Sequence, residues 1–83
     1  MLLGNQIRNF INDSEFKITL YLNRVNIVNY TSIEHFDDYK IIIKINNKKV
    51  IIGGVKLGIS KLLNDEVLIT GQINDIRLEN NEK

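Results

Sequence analysis

Residues 40–52 read KIIIKINNKKVII, and this stretch decides the fold. Two runs of β-branched residues, Ile41–Ile43 and Val50–Ile52, flank Asn46-Asn47. Asn tolerates positive φ, so the pair makes a tight hairpin turn. β-branched side chains are stiff at χ1 and suit a pleated, half-buried surface. The same runs are aggregation-prone windows, and Lys40, Lys44, Lys48 and Lys49 stand beside them as gatekeepers.

Strand signals continue on both sides. Upstream, Phe16, Ile18, Leu20 and Leu22 alternate with Lys17, Thr19 and Tyr21, which predicts a half-buried strand. Asn23-Arg24 predicts a turn, Val25 to Val28 a second strand, and Ile33 to Phe36 an extended segment. Asp37-Asp38 predicts the turn before Tyr39–Ile45. Downstream, Gly53-Gly54 ends or bulges the strand, and Val55, Leu57 and Ile59 alternate again. Asn64-Asp65 turns the chain, Val67–Ile69 forms a strand closed by Thr70-Gly71, and Ile73, Ile76 and Leu78 form the last. The runs VIIGGVKLGI (50–59) and VLITGQINDI (67–76) echo each other. Two such units are too few for a solenoid.

The expected fold is mainly β. It is one small antiparallel or rolled sheet, or a sandwich, of about seven to eight short strands with a short N-terminal helix. The helix is read over 1–13, where Leu3, Ile7, Phe10 and Ile11 form one apolar stripe before Asn12-Asp13-Ser14. The β domain spans 14–78, and 79–83 is a charged tail.

At 83 residues the chain is one domain with a small core. Scaffolds of this size take support from disulfides, a metal or another chain. There is no cysteine and one histidine, so disulfides and a Cys- or His-rich zinc site are excluded. A partner chain, identical or different, is the expected support. The cysteine-free composition fits a reducing cytoplasm. Eleven basic and ten acidic residues give a net charge of +1, no electrostatic footprint for nucleic acid or an anionic membrane. No apolar run is long enough to span a bilayer. Met1-Leu2-Leu3-Gly4 lacks the basic region and apolar run of a signal peptide. The chain is expected to stay where it is made unless a membrane partner holds it.

No constellation reads as an active site, and neither a catalytic residue nor a cofactor is expected. His35 lacks a second His or a Cys to join it. Asp37 and Asp38 are turn formers whose side chains diverge. Gly53-Gly54 has no following Lys-Ser/Thr and no helix, so it is not a phosphate loop. Ser14, Ser32 and Ser60 have no base and orienting acid. The four lysines with Tyr39 could contact nucleic acid, but a solvated edge explains them. Tyr21, Tyr30 and Tyr39 are read as core-rim residues.

The order of segments carries a resemblance. RVNIVNYTSIEHFDDYKIIIK (24–44) is similar to the opening of the YabP/YqfC family of sporulation proteins, NNKKVIIGGVKLGISKL (46–62) resembles its central stretch, and NDEVLITGQINDIRL (64–78) its close. The likeness covers Phe16 to Leu78. It implies a non-enzymatic protein of endospore formation, acting in the mother cell around the forespore surface or coat through protein contacts. YqfC-type members are associated with a larger membrane partner of the YqfD type. No catalytic residues carry over. Gly53 or Gly54, and Gly71, match the family's glycines and read as backbone requirements. Homo-oligomers are also expected of so small a β domain.

A second resemblance is to Sm-like RNA-binding rings. IEHFDDYKIIIK (33–44) is similar to their first motif and ITGQI (69–73) to their second. Thr31 stands for the motif's Gly, Lys40 for its Asn and Thr70 for its Arg, so the residues that contact the base are missing. A subunit role in an enzyme complex is a third reading.

Overall fold

The structure is a computed structural model that describes residues 16–80. Six strands form one sheet: β1 (Lys17–Leu20), β2 (Arg24–Val28), β3 (Ser32–Phe36), β4 (Lys40–Ile45), β5 (Lys48–Leu62) and β6 (Glu66–Asn80). Every neighbouring pair is antiparallel, in the order β1-β2-β6-β5-β4-β3.

The sheet is one long hairpin carrying a short hairpin on each flank. β5 and β6 are 15 residues each and pair along almost their whole length. The first half of β6 also pairs with β2, through Val28↔Glu66 to Arg24↔Thr70. The first half of β5 also pairs with β4, through Ile45↔Lys48 to Lys40↔Gly53. The outer strands thus sit at opposite ends of the hairpin and on opposite sides of it.

The chain passes from β2 to β3 through Asn29, Tyr30 and Thr31 alone, although these strands are second and sixth in the row. Four strand spacings of ~4.8 Å exceed the reach of such a link, roughly 14 Å at most. The sheet must therefore roll. Backbone bonds hold the link at both sides of the roll, with Asn29 N–H donating to Asp65 O and Thr31 N–H to Lys44 O. The Tyr30 hydroxyl donates to Leu63 O at 2.7 Å, and Asn46 N–H donates to Thr31 Oγ1. Asn29 and Asn46 adopt φ of 67° and 54°, which Asn accepts with little strain.

Rolling creates the core. Val25 and Ile27 of β2, Ile41, Ile43 and Ile45 of β4, Val50, Ile52 and Leu57 of β5, and Val67 and Ile69 of β6 form one buried cluster. Nine of these side chains are fully buried. Each contributes about 1.5–3 kcal/mol of transfer free energy. No polar or charged side chain is buried among the described residues.

The bend in the hairpin needs glycine. A Cβ on Gly54 would overlap the carbonyl oxygen of Gln72 and approach Leu57 Cδ2 to 2.9 Å. Gly71 has φ +128° and lies against Lys56 O, so it is barred to other residues by conformation and by space. Lys56 takes φ 55° inside the same irregularity. The register shifts three times here, between Gly53 and Gly54, Val55 and Gly58, and Ile59 and Lys61. Each extra residue bends the strand and increases its twist.

The rolled antiparallel sheet matches expectation, and the strand count is corrected. Among the described residues six strands stand where about seven to eight were expected. Gly53-Gly54 and Thr70-Gly71 do not end strands, because the ladder resumes after each bulge. The expected runs before and after them are halves of β5 and β6. The helix expected over 1–13 lies outside the described residues.

Substitution at two glycines separates crowding from propensity. Gly54→Ala should lower unfolding stability by about 1–3 kcal/mol. Gly58→Ala, whose added Cβ meets nothing within 4 Å, should be neutral or slightly stabilising. Urea midpoints of the two variants check this. Equal midpoints would mean that the Gly54 crossing is not tight.

Candidate docking surface

The polar residues singled out by sequence are dispersed. His35 Nε2 lies 2.7 Å from Asp37 Oδ2, with both side chains about half exposed. The other Asp37 oxygen accepts from the backbone N–H groups of Tyr39 and Lys40 at 2.7 and 2.8 Å. The His35 bond, followed by these two backbone donors, lowers the Asp37 pKa to about 2. Asp37 is thus the anchor of the β3–β4 turn, and Asp38 is exposed beside it. Ser32 and Ser60 are exposed, and Ser14 lies outside the described residues. Among the described residues no three His, Cys, Asp or Glu side chains group as metal ligands. No helix there is long and apolar enough to cross a membrane.

The lysines do not form one patch. Lys44 and Lys49 are cross-strand neighbours, and Glu79 follows Lys49 in the same row. Lys48 points to the other side of the sheet, where its Nζ donates to Asn80 Oδ1 at 2.8 Å. The tyrosines divide. Tyr30 packs against the core, while Tyr21 and Tyr39 are exposed. The Arg24 guanidinium stacks 4.1 Å from the Tyr21 ring centroid.

The structure concentrates exposed apolar surface elsewhere. Leu20, Tyr21 and Leu22, at the β1–β2 turn, face Ile73, Asn74, Asp75 and Ile76 of β6 across an open groove of about 380 Å³. Leu22 is 96% exposed, so the strand alternation that predicted it half-buried fails at that residue. β1 ends at Leu20, and nothing among the described residues covers the turn. Alternation identifies a face, but only tertiary structure says whether that face is covered.

The groove adjoins an open sheet edge. Beyond Thr70, β6 pairs only with β5 among the described residues, which leave its other side without a partner strand from Gln72 to Asn80. The corresponding side of β5 is partly closed, because Gly54 N–H donates to Tyr39 O and Leu57 N–H to Asp38 O. The outermost strands are only four and five residues long, and β3 is bulged between Ile33 and His35. Short and bulged edges resist strand addition, whereas a longer one invites it, and the regular part of this one runs from Asp75 to Asn80, past the bulge at Asn74. Groove and edge together form a candidate docking surface that offers both apolar contact and strand-edge backbone groups.

A family profile described as the YabP family matches residues 12–83. The chain belongs to the YabP family. Membership points to a sporulation-related protein and agrees with the resemblance in segment order. In this YabP-family chain the matched region takes in the whole described sheet. Gly54 and Gly71 sit at its bend, and Gly53 lies opposite Asp75. A search among curated proteins returned no match.

The Asp37 anchor predicts an acid dependence. A carboxylate with a lowered folded-state pKa adds stability that is complete above its ordinary value of 3.8 and is lost as pH falls through about 2. Asp37→Ala should lower the urea midpoint at neutral pH and remove part of its decline over this window. The group is exposed, so the difference is small. Parallel acid titrations of the two proteins would refute the anchor.

Proposed function

We propose that this YabP-family protein is a non-enzymatic assembly component of endospore formation. It works in the mother cell at the forespore surface or coat by binding other proteins. The observation that carries this reading is the groove beside the unpaired half of β6. There exposed apolar side chains line a groove beside strand-edge groups that no described residue pairs.

Family membership supports the sporulation context. The dispersed His, Asp and Ser side chains favour a binding role over catalysis. A larger membrane protein of the YqfD type is the expected heterologous partner, and would hold the chain peripherally at the forespore membrane. Apolar contact in the groove supplies affinity, and alternating side chains along the added strand supply specificity.

A fluorescent fusion at the native locus, imaged through growth and sporulation, tests the cellular role. Signal appearing after asymmetric division, in the mother cell or around the forespore, is expected. Constant diffuse signal in growing cells would contradict it.

A further inference from the structure

The end of the roll that carries the β5–β6 turn is apolar, and the chain enters the sheet beside it. Leu62 and Leu63 are 56% and 48% exposed there. Leu62 stands on the core side of the sheet, because it pairs with the buried Val67. The same row continues through Ile27 to Ile18. Tyr30 packs against the core and donates its hydroxyl to Leu63 O at 2.7 Å. Phe16, also packed against the core, immediately precedes β1. Lys17 lies opposite Val28, and Val28 opposite Glu66, so β1 starts level with the start of β6. Leu63 N–H donates to Glu66 O across the turn. Phe16, Tyr30, Leu62 and Leu63 thus share one end of the roll.

No described residue covers the two leucines. Covering them is favourable by about 25 cal/mol per Å² of apolar surface. The length and pattern of the preceding chain fit that task. Residues 1–15 come before Phe16, and Leu3, Ile7, Phe10 and Ile11 form their apolar stripe. Asn12 to Glu15 remain as a short polar link. A helical stripe from Leu3 to Ile11 rises roughly 12 Å. From β1 to β5 the end of the sheet measures three strand spacings, about 14 Å. A helix laid across these strand ends brings Ile11 beside Phe16 and Leu3 beside Leu62 and Leu63. So short a helix is marginal in water and needs such a surface.

The groove is a poorer seat for the same segment. Leu20, Tyr21 and Leu22 lie at the far end of β1 from Phe16. The segment would have to double back along the whole strand to reach them. The stripe also precedes residues 12–83, which the family profile matches, so the contact belongs to this chain rather than to the matched region.

We infer that residues 3–11 pack as an amphipathic helix across the end of the roll, over Tyr30, Leu62 and Leu63. The contact enlarges the small core and leaves the β6 edge untouched. It goes beyond the proposed function and stands or falls without it, since purified chain tests it.

The cysteine-free sequence makes disulfide capture in the full chain the direct test. Two double variants are oxidised mildly at low concentration, Leu3→Cys with Leu63→Cys and Leu3→Cys with Leu22→Cys. All three positions lie outside the buried cluster, and far-UV circular dichroism checks that each variant is folded. Leu22 is nearer to Leu3 in sequence and more exposed than Leu63, so an undocked segment would close onto it at least as fast. Docking predicts that the Leu63 pair closes at least ~10-fold faster, within one chain, because the thiols are held near each other. The preference should vanish in urea. Equal rates, faster closure at Leu22, or disulfides that join two chains would each overturn the inference. Urea midpoints of Leu3→Ala, Leu63→Ala and the double variant give an independent reading. Residues in contact are coupled, so the double variant should lose less than the two single losses added together. Strict additivity, or an unchanged midpoint in Leu3→Ala, overturns the inference as well.

Discussion

The structure depends on the close crossing of β5 and β6 at Gly54 and Gly71. There the two backbones approach too nearly for a Cβ, and the hairpin bends. Without the bend, β2 and β4 would lie on opposite sides of a flat ribbon with their isoleucines in water. With it, Val25 and Ile27 meet Ile41, Ile43 and Ile45 across one core. The three-residue link from β2 to β3 is a consequence of that geometry, and its backbone bonds to Asp65 and Lys44 hold the roll in place.

The same bend leaves the docking surface. Because β2 is used up at Thr70, the second half of β6 has no neighbour on its outer side among the described residues. Because β4 begins at Lys40, its preceding turn reaches β5 only at Gly54 and Leu57. One half-edge is thus capped by a turn and the other is bare. A small domain has limited core to offer. The proposed function and any further burial against another chain would draw on the same place, the second half of β6 and the apolar turn beside it.

Much of this was legible in the sequence, for identifiable reasons. Period-two alternation revealed the strands, Asn46-Asn47 revealed the β4–β5 turn, and Asn64-Asp65 the β5–β6 turn. The order of segments revealed the family. Thr70-Gly71 was misread as a strand end, while a bulge at Gly53-Gly54 was one of the two readings made there. At Gly53-Gly54 and Thr70-Gly71 the ladder passes through a bulge, and sequence alone gives the same signal for a bulge and for a strand end. The site was hidden for a different reason. Leu20 and Leu22 look like core residues by spacing, and only the early end of β1 and the missing neighbour of β6 expose them. Asp37 was read as a turn former, and its bonds to His35, Tyr39 and Lys40 do shape the β3–β4 turn.

The central claim is that the outer side of β6 is a binding edge. Amide hydrogen exchange resolved along the chain, with and without a membrane partner of the YqfD type, tests it most directly. Protection within residues 72–80 should rise on binding, while amides of the β5–β6 ladder inside the core stay unchanged. Protection unchanged in that stretch, or gained instead along β1 or β3, would contradict the account.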